Sequence, residues 1–124
     1  MKLKHKRSPC SIAGTLDFLG DKWTLILIRD LLGGKKRYNE FLASPEKIPT
    51  NILASRLKMM EEAGIVNKQR YSAHLRRFEY ILTERGRDLW PVLQEIARWG
   101  KKHIDDTWDG PDWFWAGDKE KLKN

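Results

Sequence analysis

The chain has 124 residues, 40% of them hydrophobic and 33% charged, a composition that excludes wholesale disorder and suffices for one buried core. A formal net charge of +7 favours a polyanionic partner, and no apolar run approaches the roughly 20 residues of a membrane helix. Cys10 is the single cysteine, which excludes an internal disulfide. Since no apolar signal segment follows the basic start, a reducing cytoplasm is the expected location.

Charge divides the chain into three expected parts. Residues 1–10 form a basic arm with five basic side chains, His5 included, and no acid. Residues 11–104 carry 17 Lys and Arg against 11 Asp and Glu and hold all the periodic segments, so they are read as one globular domain. Residues 105–124 reverse the balance, with six acids and three lysines, and form an acidic, aromatic tail.

Within the domain, Ile12, Leu16 and Leu19 are spaced as on a helix over Ser11 to Leu19, which Gly20 breaks. Asp21 is placed to cap the next helix, Lys22 to Leu32, by accepting from its free N–H groups. That segment is apolar on nearly all sides and is the expected central helix. Gly33-Gly34 ends it, and Lys35-Lys36-Arg37 reads as an exposed connection or a very short strand. Tyr38 to Ser44 follows as a brief helix, and Pro45 through Pro49 make a turn. Thr50 opens a further helix that Gly64 ends. Val66 to Tyr71 and Arg76 to Leu82 read as two strands around a turn at Ser72 to Leu75, with Phe78, Tyr80 and Leu82 on one face. Thr83 is placed to cap a last long helix to about His103, which Pro91 should bend near its middle. Three helices, a turn, a fourth helix, a two-stranded hairpin and a last helix make a mainly α fold with a small β-hairpin, the order of a winged helix-turn-helix.

The helix from Thr50 has a divided surface. At about 100° per residue, Leu53, Leu57 and Met60 fall on one line, and Asn51, Ser55, Lys58 and Glu62 on the opposite one. In helix-turn-helix proteins the N-terminal residues of the second helix reach base edges. Asn51 suits an adenine edge, Ser55 several bases, and Lys58 guanine or phosphate. Thr50 suits a phosphate, and Arg56, at the stripe's edge, suits a structural or phosphate-binding role. The hairpin adds Lys68, Arg70, His74, Arg76 and Arg77, cations suited to phosphates or the minor groove. Double-stranded DNA is therefore the expected partner. The same polar face could instead be merely solvated, which leaves a winged-helix protein-interaction module without DNA binding as the alternative.

An enzyme is not expected. His5, His74 and His103 are scattered, one cysteine makes no zinc cluster, and no glycine-rich phosphate loop or Ser/His/Asp set is present. No catalytic residue, metal or cofactor is assigned.

An ordered set of residues then points to a family. It comprises Cys10, Gly20-Asp21-Lys22-Trp23-Thr24, Leu27 to Leu32, Gly34 to Tyr38, Phe41, Ile48, Leu53 to Leu57, Glu61 to Val66, Glu79 to Gly86, Pro91-Val92-Leu93 and Trp99-Gly100. Over roughly residues 10 to 103 the chain resembles the HxlR-type regulators, winged-helix relatives of the MarR group. The resemblance implies a homodimeric transcription factor, often a repressor, whose first and last helices build the dimer interface. On this chain that assigns Ile12, Leu16, Leu93, Ile96 and Trp99 to the interface. It also implies a sensor cysteine near the N-terminus, at Cys10. Two positions depart from the family pattern: Pro49 replaces a common serine at the start of the reading helix, and Leu75-Arg76 replaces a proline-rich wing tip.

Chemistry is compatible with a sensing role for Cys10. The thiolate is the reactive form, and Lys6, Arg7 and a helix start nearby would favour it. One thiol per chain limits oxidation to an intersubunit disulfide or an adduct with a small molecule. The alternative is a small residue packed at the dimer interface. Trp23, Trp90 and Trp99 are expected in core or dimer packing. Trp108, Trp113 and Trp115 are expected to fold over the partner subunit, or to line a pocket for an aromatic or cationic effector.

Overall fold

A computed structural model describes residues 1–3, 6–72 and 77–116. Helix α1 spans Ser11–Leu19 and α2 spans Thr24–Leu32. The turn between them is built by Asp21, whose carboxylate accepts from the backbone N–H groups of Trp23 and Thr24, both at 2.9 Å, and from the Thr24 hydroxyl at 2.6 Å. The expected cap is thus present, but α2 begins at Thr24, because the residues before it are spent on the capping turn. Leu27, Ile28, Leu31 and Leu32 of α2 are buried, as a central helix requires.

Helix α3 is only Tyr38–Leu42. Its start is held by Glu40, which accepts from the backbone N–H groups of Lys36 and Arg37 at 3.1 and 2.9 Å. It stops short of Ser44, whose buried hydroxyl donates to Asp30 at 2.6 Å and accepts from the Lys35 ammonium at 2.6 Å. Arg29 ties the same corner by pairing with Asp30 and Glu46, and this fixes the turn that precedes the next helix.

Helix α4, Thr50–Glu62, buries Leu53, Leu57 and Met60. It ends in a Schellman turn: Ile65 N–H donates to Met60 C=O at 2.9 Å and Gly64 N–H to Glu61 C=O at 3.1 Å, with Gly64 at φ 75°, the left-handed region glycine tolerates. Strands β1 (Val66–Ser72) and β2 (Arg77–Leu82) pair antiparallel, from Val66 opposite Leu82 to Arg70 opposite Phe78, with an irregularity before Ser72. Arg37 forms an isolated bridge to Glu79 on the other side of β2, and Tyr80 N–H donates to Lys36 C=O at 2.8 Å. The Lys35–Arg37 segment is therefore a very short strand.

The expected last helix is two helices. Thr83 does cap the first, α5 (Glu84–Arg87), by accepting from Gly86 N–H at 3.2 Å. An added Cβ on Gly86 would sit 2.4 Å from the Ile65 carbonyl, so only glycine allows α5 to lie this close to the end of α4. Helix α6 spans Trp90–His103, and Pro91 stands at its start, where a missing N–H removes no intrahelical bond. Pro91 consequently launches a helix and does not bend one.

Residues 112–116 of the tail pack against α6 of the same chain. Helix α7, Asp112–Ala116, buries Phe114, and the Phe114 carbonyl accepts from Trp90 Nε1 at 3.2 Å and Gln94 Nε2 at 2.7 Å. Trp113 lies 6.2 Å from Trp90, ring centre to ring centre, and Trp115 Nε1 donates to the Asp109 carbonyl. Within the chain, Trp113 thus packs on the Trp90 ring of α6, and Trp115 faces Arg98 and Lys101 of the same helix. Trp108 alone of the tail tryptophans is largely in water.

Candidate nucleic-acid interface

Side chains opposite the buried stripe of α4 are exposed: Asn51, Ala54, Ser55, Lys58 and Glu62 all face solvent. The expected base-reading set is thus brought onto one face, small near the N-terminal end and longer beyond it. Thr50 is exposed too, and its carbonyl accepts from the Tyr38 hydroxyl at 3.2 Å, which locks α3 against the start of α4. Pro49 sits at the N-cap with φ −64° and ψ 145° and gives no side-chain cap, so the first turn of α4 is set by its fixed φ and not by a serine-type hydrogen bond.

Arg56 turns the other way, toward Asp21, at 3.6 Å. Burial would raise the Asp21 carboxyl, but the hydrogen bonds from Thr24 and Trp23, with the Arg56 charge, hold it below the usual carboxylate range. Of the two roles expected for Arg56, the structural one has its partner in place.

In the hairpin, Lys68 and Arg70 lie over the Phe78 ring, at 4.2 and 5.7 Å from its centre, while Arg77 is exposed on the opposing strand. Cation–aromatic contacts of this kind hold flexible side chains near one position without discharging them. His74 and Arg76, the expected tip contacts, lie outside the described residues. Sequence reading missed Arg37. Its guanidinium rests 4.0 Å from the centre of the Tyr71 ring and its Nε bonds Glu79 at 3.1 Å. That pairing spans 42 residues, and nothing in the local pattern of Lys35-Lys36-Arg37 announces it.

Comparison with known proteins agrees with this geometry. The HxlR-like helix-turn-helix family model matches residues 18–107. The chain belongs to the HxlR-like helix-turn-helix family. It is 40% identical over 96 residues to the HTH-type transcriptional regulator YdeP of Bacillus subtilis, spanning 77% of this chain and 75% of YdeP. Mycobacterial relatives are longer, and the match spans 64% of their length. Among solved structures, the transcription factor PA1607 superposes with a TM-score of 0.75 at 34% identity, covering 87% of this chain and 76% of that one. The redox regulator HypR in its reduced form superposes with a TM-score of 0.71 at 36% identity, covering 77% of this chain and 95% of HypR. The fold is therefore a winged helix-turn-helix, and this HxlR-like chain is a DNA-binding transcriptional regulator rather than an enzyme, with α3 and α4 as its helix-turn-helix and β1–β2 as its wing.

Away from the buried core, α1 and α6 each leave apolar side chains in water. Ile12 and Leu16 of α1 are 70% and 53% exposed, and Ile96 and Trp99 of α6 are 50% and 63% exposed. Leu93, assigned to the same interface by resemblance, is instead buried at 9% exposure in the protomer's own core and is withdrawn from that set. Cys10 is exposed at the N-cap of α1, next to a cleft of about 570 Å³ between the N-terminal arm and α1, whose wall includes Leu3, Phe18, Leu19, Ile65 and Leu89. No helix among the described residues is long and apolar enough to cross a membrane.

Proposed function

We propose that this regulator binds a pseudo-palindromic operator as a homodimer and represses transcription from it in the bacterial nucleoid. Asn51, Ser55 and Lys58 read bases in the major groove, Thr50 contacts phosphate, and Lys68, Arg70 and Arg77 of the wing hold the backbone. The dimer forms through Ile12, Leu16, Ile96 and Trp99. The observation that carries this reading is the pairing on one protomer of a short polar face on α4 and exposed apolar side chains on α1 and α6. Four apolar side chains on α1 and α6 stand half or more in water, and covering such groups against a second copy is the ordinary remedy.

Cys10 is the proposed switch. An oxidant takes two electrons and two protons from two Cys10 thiols to join the subunits, or an electrophile alkylates one of them. The similarity to HypR, a redox regulator, and the exposure of Cys10 support this assignment. The test is an affinity titration against operator DNA. The logarithm of the affinity falls linearly with the logarithm of salt concentration if phosphates are engaged. Cys10→Ser retains that binding and loses the response to thiol oxidants; a response that persists in Cys10→Ser overturns the sensor assignment.

A further inference from the structure

Neither α4 nor the cations of β1 account for a cleft of about 460 Å³ between α3 and the wing, lined by Arg37, Tyr38, Asn39, Arg77, Phe78 and Tyr80. Its floor is aromatic and its rim is cationic. The Arg37 guanidinium is held on two sides, over the Tyr71 ring at 4.0 Å from its centre and by Nε to Glu79 at 3.1 Å. A guanidinium so held has a fixed plane, and its terminal N–H groups match a phosphate. Arg77 has no carboxylate partner among the described residues; Glu79 is already shared by Arg37 and by Lys36 at 3.6 Å. The other carboxylate at this site, Glu40, accepts from the backbone N–H groups of Lys36 and Arg37. Arg37 and Arg77 are thus the cations that line the cleft, the nearby carboxylates Glu79 and Glu40 are both engaged, and Asn39 adds an exposed amide donor.

Position favours DNA as the source of the phosphate. Tyr38, in the cleft wall, donates to the carbonyl of Thr50, the first residue of α4. The first helix of a helix-turn-helix crosses the DNA backbone while the second lies in the groove, and α3 is that first helix. We propose that this cleft seats one backbone phosphate of the strand bordering the groove that α4 enters, gripped by Arg37 and Arg77 with Asn39 donating alongside, an inference that rests on the reading of α4 given above. Glu79 orients Arg37 and tempers its charge, so that the grip depends on the phosphate being present.

The test pairs protein variants with operator duplexes in which one phosphate at a time is replaced by a neutral methylphosphonate. In the wild type, one position in each half-site weakens binding by about tenfold, as loss of a charged hydrogen bond should. In Arg77→Ala and Arg37→Gln that same position has no further effect, the overall affinity is lower, and the preferred sequence is unchanged. The slope of log affinity against log salt becomes shallower by about 0.9 per contact, twice that for a dimer. Glu79→Gln, which keeps an acceptor for Arg37 Nε but removes the opposing charge, binds more tightly than the wild type. Because Arg37 also helps join α3 to β2, Arg77→Ala and Asn39→Ala, both at exposed side chains, keep the test informative if Arg37→Gln unfolds. A wild type that binds operator normally while every methylphosphonate acts equally on wild type and variants overturns the phosphate seat alone. A wild type that binds no duplex overturns the reading of α4 and the seat with it.

Discussion

Helices α4 and α6 each bury one apolar stripe in the same core, and they differ in what lies opposite it. On α4 the opposite side is Asn51, Ser55, Lys58 and Glu62, with Ala54 between, all short or charged and all in water. On α6 the exposed surface includes an apolar flank, Val92, Ile96 and Trp99, beside the charged Glu95 and Arg98. Water tolerates the first surface at no cost, so that face is free to exchange its hydration for base edges and phosphates. The second surface is disfavoured in water by about 25 cal/mol per Å² of apolar area, which biases it toward a permanent cover. One helix is built to let its partner go and the other to keep it. The difference fits the proposed function, in which the dimer would persist while the DNA contact comes and goes.

The sharpest way to break the contrast is to make α6 resemble α4. Trp99→Asp combined with Ile96→Asp should yield a folded monomer with lost avidity for a two-half-site operator, a fall of about 10²–10⁴-fold, read by sedimentation and DNA titration together. A monomer that kept full operator affinity would show that α6 is not the dimer face. Next in size is the packing that α6 makes with the tail. Phe114→Ala should cost about 3 kcal/mol of unfolding free energy and leave sequence preference intact, measured by denaturant unfolding and DNA selection. On the α4 side, Asn51→Ala or Ser55→Ala should remove about 1–3 kcal/mol of discrimination at one base pair, with little change in salt slope.

The smallest effect concerns the turn that supports α4 from behind. Asp21→Ala should cost about 1 kcal/mol at neutral pH through loss of its cap to α2. The folded Asp21 carboxyl titrates below its ordinary value. Its contribution is therefore complete above the unfolded value near 4 and disappears as pH falls through the lower folded one. Wild type and Asp21→Ala should converge in stability below that range. A gap that stays constant with pH would assign the effect to packing.

How much of this was legible in the sequence follows from the range of the interactions involved. The face of α4 could be read because a 3.6-residue period is local, and the hairpin because Phe78, Tyr80 and Leu82 alternate. The Asp21 cap spans three residues and was legible for the same reason. Pro91 was misread because the sequence does not reveal that Arg87 ends one helix and Trp90 begins another, and proline's effect depends on which side of that break it stands. Leu93 and Phe114 escaped because burial is decided by elements distant in sequence: Trp90 and Gln94 lie 24 and 20 residues from the carbonyl they share. Arg37 escaped for the same reason, since its partners Tyr71 and Glu79 arrive with the wing.

The central claim is that α4 reads DNA from a two-fold dimer. Selection of bound duplexes from a random-sequence pool, carried out with the purified chain at moderate salt, tests it most directly. The account predicts an enriched inverted repeat whose half-site centres stand about 34 Å apart, and loss of enrichment at one base pair per half-site in Asn51→Ala. An unenriched pool, or a single half-site selected as strongly as a pair, would contradict it.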